Sequence, residues 1–183
     1  MPTCIALLCA VNVGGTGKLA MADLRKLIEK LGYRNVETYI QSGNVVFDAP
    51  GSTAAVTKAL SAALEKHMGA PVGVILRTHD ELTRIIAANP YAAEAAADGA
   101  RVHAVFLSGK AASDAATGLD RIVAQYPSRR DRYHLAGDTL YLHLPDGAGE
   151  SKFTTKGLNR ICGVAVTARN WNTVLKLHAM STR

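Results

Sequence analysis

Two stretches of this chain run through the same order of patterns, and that repetition constrains the fold more than any single motif does. In the first, Thr3–Val13 is a long apolar run with β-branched residues, the pattern of a strand buried on both faces. Met21, Leu24, Ile28 and Leu31 then recur at helical spacing, with Gly32 as a stop. Val36–Ile40 and Asn44–Phe47 flank Gln41-Ser42-Gly43 and read as a hairpin. Ser52 or Thr53 can cap a helix with the stripe Val56, Leu60, Leu64 and Met68, ended by Gly69, and Val72–Leu76 reads as a strand. The order is βαββαβ.

The second stretch repeats it. Val102–Leu107 reads as a strand, and Ser113 can cap a helix using Leu119, Ile122 and Val123. Arg132–Leu135 and Thr139–Leu144 form a hairpin around Gly137-Asp138. Ser151 can cap a helix carrying Phe153, Leu158 and Ile161, ended by Gly163, and Val164–Ala168 closes the set. Asn170 or Asn172 can cap a last helix. Between the stretches, Asp80–Ala88 reads as a connecting helix stopped at Asn89-Pro90, and the Ala-rich Tyr91–Ala100 marks a boundary. The expected organisation is therefore α+β: a first ferredoxin-like βαββαβ half over 1–78, a connecting helix and linker over 79–100, and a second such half plus a C-terminal helix over 101–183. The halves match in element order and not in residue-level sequence. In this unit the first strand is central and one sheet face is bare. Ile5, Ala6, Leu7 and Leu8 are apolar on both faces, so something is expected to cover the second face, either the other half or a partner chain.

Composition excludes several classes. No apolar run reaches membrane-spanning length, and the start lacks the basic region of a secretory signal. Cys4, Cys9 and Cys162 are odd in number and without metal spacing, which points to a reducing, cytoplasmic compartment. The net charge of +6 lies wholly in residues 151–183, which hold Lys152, Lys156, Arg160, Arg169, Lys176 and Arg183 and no acid. Such a patch attracts phosphate-bearing ligands or polyanions; as a solvated basic face it has no partner.

Three stretches together carry a resemblance: Asn12-Val13-Gly14-Gly15 with Lys18, then Tyr39-Ile40-Gln41-Ser42-Gly43-Asn44-Val45, then Ser151-Lys152 leading to Arg169-Asn170-Trp171-Asn172-Thr173. In these the chain resembles an uncharacterised bacterial family, domain of unknown function 1697. The resemblance implies a duplicated α/β architecture and a bacterial cytoplasmic origin, and no activity. Cys9 departs from the family's pattern, where an arginine is expected, and Ala168 departs where a threonine is expected.

The same stretches hold the candidate site. Gly14-Gly15-Thr16-Gly17-Lys18 joins a strand to a helix, where backbone N–H groups and Lys18 can hold an anion. It is not a Walker A loop, because Leu19 replaces the Ser/Thr that binds magnesium. Gln41, Ser42 and Asn44 occupy a hairpin turn; Gln41 adds a long amide that, paired with Asn12, can read a ligand's hydrogen-bonding edge. Ser151 and Lys152 are expected to open a helix and hold an anion there, or Ser151 is only a cap. Arg169 and Asn170 are expected to face a ligand or to join the halves, and Trp171 to plug a core or line the site. His134 and His143 share one face of the second hairpin, but Arg132 lies beside them and no third ligand offers itself, so no metal site is expected. No cofactor and no catalytic triad is expected.

The sequence thus favours a small phosphorylated or otherwise anionic ligand, bound or transformed in a cleft between the halves. Two alternatives stand beside it. One is a nucleic-acid-binding module using the basic C-terminal third, although the first strand lacks the aromatic residues on which bases stack. The other is an interaction or scaffold protein whose polar motifs only join the halves. Ligand, reaction and oligomeric state are not encoded in these patterns.

Overall fold

A computed structural model describes residues 1–12, 17–127 and 129–182. The chain divides into two units, Met1–Arg84 with Lys176–Arg183, and Ile85–Leu175.

The first unit holds β1 (Thr3–Leu8), α1 (Met21–Lys30), β2 (Arg34–Tyr39), β3 (Asn44–Asp48), α2 (Thr53–Met68), β4 (Val74–Thr78) and most of α3 (His79–Ala87). Its four strands form an antiparallel sheet in the order β2-β3-β1-β4, so β1 is interior, as the ferredoxin-like pattern requires. Alternation along β1 sends Cys4, Ala6 and Leu8 into a core with Leu24 and Ile28 of α1 and Val56, Leu60 and Leu64 of α2. Ile5 and Leu7, on the opposite face, are buried too, which meets the expectation that this face is covered.

The second unit contains α4 (Ala92–Ala97), β5 (Val102–Leu107), α5 (Ala115–Gln125), β6 (Arg132–Ala136), β7 (Thr139–His143), α6 (Thr155–Cys162), β8 (Val166–Asn170) and the start of α7 (Trp171–Met180). Its sheet runs β6-β7-β5-β8, the same order again. Val105, Leu107, Leu119, Leu140, Leu142 and Leu158 lie at the centre of its core. The second hairpin turns at Gly137-Asp138 as expected, with Arg132 opposite His143 and His134 opposite Tyr141.

Several boundaries move. The first strand ends at Leu8 rather than continuing to residue 13, because Ala10 and Asn12 take left-handed backbone conformations (φ 53° and 55°) that no strand accommodates. Ser113 caps nothing: α5 begins after Asp114, without a side-chain cap. Ser151 does not cap α6 either. The cap is Thr154, whose Oγ1 accepts from the Gly157 N–H at 3.2 Å. The last strand extends through Asn170, and Asn170 rather than Asn172 takes the capping role, its Oδ1 accepting from the Thr173 N–H. The Ala-rich boundary forms a short helix, α4, because alanine costs no side-chain entropy there.

Around their central strands the two sheets pair alike, whereas β2–β3 carries a register irregularity between Arg34 and Glu37 that β6–β7 lacks. Beyond β1, the Leu8 N–H donates to the Gly43 carbonyl and the Cys9 N–H to that of Gly73, at 2.9 and 2.8 Å. Beyond β5, the Leu107 N–H donates to the Asp138 carbonyl and the Ser108 N–H to that of Ala165, both at 2.9 Å. By the same registers Arg77, opposite Ile5, stands where Arg169 stands opposite Ala104. No helix of the described residues is long and apolar enough to cross a membrane.

Candidate functional site

At the carboxyl end of β1 the first unit gathers two of the predicted segments. Asn12 joins them. Its side-chain Nδ2 donates to the carbonyls of Leu19 and Gln41, each at 2.8 Å, and its Oδ1 accepts from the Leu19 N–H at 2.8 Å. Both amide protons of Asn12 are thereby used, and its oxygen serves the loop. Asn12 therefore ties the segment after β1 to the β2–β3 turn, while Val11 and Leu19 anchor that segment in the core.

The turn is equally constrained. Asn44 is fully buried, and its Nδ2 donates to the Tyr39 carbonyl at 3.1 Å and to Ser42 Oγ at 2.9 Å. Gly43 has φ 72°, and a Cβ there would lie 2.6 Å from Val11 Cγ2 and 2.7 Å from Leu8 Cβ, so only glycine fits. Ile40 is left-handed as well (φ 49°), an unfavourable state for a β-branched residue, and it is 53% exposed. Ala10, Asn12 and Ile40 thus concentrate three non-glycine left-handed residues at one end of one sheet. Strain of this kind persists only where surrounding structure over-determines it.

Among the described residues of this framework, the polar side chains open to solvent are those of Lys18 and Gln41. Both side chains are exposed, and neither has a side-chain hydrogen bond or ion pair among the described residues. Cys9, half-buried, follows β1 directly, with its Sγ 3.0 Å from where a Cβ on Gly73 would lie. Gly14 and Gly15 lie outside the described residues.

The remaining predicted residues belong to the second unit, and each has a local contact. Ser151 is buried, its Oγ accepting from the Phe153 N–H at 3.1 Å. Lys152 does not open a helix, since α6 begins at Thr155, and its Nζ lies 5.5 Å from the centre of the Tyr126 ring in a cation–π contact. Arg169 is buried, and its Nη1 donates to Thr167 Oγ1 at 2.7 Å and to the Ala168 carbonyl at 2.8 Å. Asn170 caps α7. Trp171 is buried, its ring centre 6.4 Å from that of Tyr141.

Sequence reasoning passed over two features. Arg77 is buried in β4, its Nη1 donating to the Leu76 carbonyl at 2.9 Å, in the register position that Arg169 holds in β8. Equal register was the signal, and it needs the strand pairing to be seen. The second is a polar group on the second unit. Arg132 lies 5.0 Å over the Tyr91 ring, pairs with Glu94, and donates from Nη2 to His143 Nδ1 at 2.9 Å. Burial first, and then the Arg132 charge, hold His143 below the usual histidine range. Among the described residues no three histidine, cysteine or acidic side chains form a metal cluster.

A family model described as "Protein of unknown function (DUF1697)" matches residues 1–141, and the chain belongs to that family. No curated protein matches the sequence. Among solved structures the chain is similar to a conserved bacterial protein from Streptococcus pneumoniae, with 23% identity and a TM-score of 0.72 over 99% of each chain. That likeness shows the shared fold.

Proposed function

We propose that this DUF1697 chain is a cytoplasmic protein that binds a small phosphorylated or otherwise anionic ligand at the loop end of its first unit. Lys18 supplies the charge, Gln41 supplies the hydrogen-bonding edge, and Asn12, Ser42 and Asn44 hold the two segments in place. The observation that carries this reading is the three-bond clamp of Asn12 beside Lys18, which is exposed and has no side-chain partner among the described residues. The described residues that flank Lys18 and Gln41 are held by these bonds, with Asn12 and Ile40 in left-handed backbone states, so a ligand need not bear the cost of ordering them. The free cysteines support the reducing compartment.

The second unit's basic cluster supports a polyanion surface less well. Arg129, Arg130 and Arg132 each already face a carboxylate, those of Glu150, Asp146 and Glu94. Those cations are offset locally and offer little net charge to phosphates.

A thermal-shift panel of inorganic phosphate, pyrophosphate, nucleotides and sugar phosphates tests the proposal. A ligand at a hundred times its Kd stabilises by about 2.7 kcal/mol. At least one member is expected to raise the unfolding temperature, and Lys18→Ala to remove that rise while leaving the unliganded temperature unchanged. A flat panel, or a rise that Lys18→Ala leaves intact, would overturn it.

A further inference from the structure

The first unit carries a second charged feature, on the helical side of its sheet. A half-open groove of about 430 Å³ runs between α1 and α2, lined by Lys26, Lys30, Lys66 and His67, with Leu27, Leu31 and Ala63 half-exposed among them. Asp23 is its one carboxylate. Lys26, Lys30 and Lys66 form no hydrogen bond or ion pair among the described residues. Four arginines of the second unit behave oppositely: Arg101, Arg129, Arg130 and Arg132 are each matched to an acid. Lys26 and Lys30 are one turn apart on the same helix face, an arrangement that weakens the helix unless an external anion offsets it.

The lining also selects among anions. Its one aromatic ring is the imidazole of His67, a small platform for a base, and it has no guanidinium to grip a phosphate in two places. Its apolar side chains would lie idle against inorganic phosphate. An amphipathic helix with a carboxylate-rich flank uses both: its apolar stripe covers Leu27, Leu31 and Ala63, and acids one turn apart meet Lys26 and Lys30 on one wall while others meet Lys66 on the opposite one. We infer that the α1–α2 groove docks an acidic amphipathic helical segment of another protein.

The test is fluorescence anisotropy with a labelled leucine- and glutamate-patterned helical peptide. Its lysine-for-glutamate counterpart, a single-stranded oligonucleotide of equal charge, and inorganic phosphate serve as competitors. The acidic peptide is expected to bind and to weaken as salt rises. Binding is expected to fall about tenfold or more in Lys26→Glu/Lys30→Glu and in Lys66→Glu. These exposed variants should keep the parent unfolding temperature; for one that does not, the milder Lys30→Ala and Lys66→Ala supply the same readout. The proposal is overturned if the peptide does not bind, if charge reversal leaves its affinity unchanged, or if the oligonucleotide displaces it at lower concentration. The last result would make the groove a nucleic-acid surface. Lys18→Ala is expected to leave peptide binding intact, which separates this groove from the loop-end site.

Discussion

Asn12 illustrates how much one short polar side chain can determine. Three hydrogen bonds run from its amide to two chain segments, and its own backbone is left-handed, a state asparagine tolerates better than other non-glycine residues. Asn12→Ala removes the bonds and that tolerance together, and should cost about 2 kcal/mol of stability. Asn12→Gly restores the backbone freedom without the bonds and should recover part of the loss; urea unfolding of the pair measures both terms. Gly43→Ala should cost at least as much, since its Cβ would enter Leu8 and Val11 from a left-handed residue, and the same unfolding curves check it. The sequence showed that residues 12 and 41 were polar and placed in loops. It could not show that Asn12 spends its amide on backbone, because that depends on a contact 29 residues away.

At the scale of elements, caps and titrating groups decide local stability. Thr154 rather than Ser151 starts α6, so Thr154→Ala should lower stability by about 1 kcal/mol in thermal unfolding, with helix content otherwise retained. His103 of β5, His143 of β7 and His178 of α7 all sit below the usual histidine range, burial being the first cause for each, followed by Arg132 for His143 and by the stacked His79 for His178. Their neutral forms are therefore favoured in the folded state. The unfolded chain takes up protons first, so stability is full above about pH 6.5 and is lost as pH falls through the lower folded values. The unfolding temperature should drop between pH 8 and 5, and His103→Leu should make the drop shallower. A flat or rising profile would contradict this account. Strand order, hairpin register and most helices were readable in the sequence because period-2 and period-3.6 patterns survive in buried strands and one-sided helices. Caps were readable in part: Ser52 and Asn170 cap their helices as expected, whereas Ser151 and Thr154 are chemically alike and only the turn between them distinguishes the two.

For the whole molecule, the two ferredoxin-like sheets share strand order, the register of their central strands and a buried arginine, with no clear residue-level repeat. Arg77 and Arg169 escape comparison by eye because Leu76-Arg77-Thr78 and Ala168-Arg169-Asn170 have only the arginine in common. Charge counting along the chain placed the positive excess in the last 33 residues, yet two of those cations are occupied, Lys152 by a ring and Arg169 by burial. The unpartnered lysines singled out above lie in the first unit instead, at Lys18 and along α1 and α2. The central claim is that the Lys18 loop end takes an anion, and an amide-resolved NMR titration of the protein with pyrophosphate tests it most directly. The account predicts saturable shifts at residues 9–12, 17–19 and 39–44 that vanish in Lys18→Ala. Shifts confined to other residues, or unchanged in that variant, would contradict it.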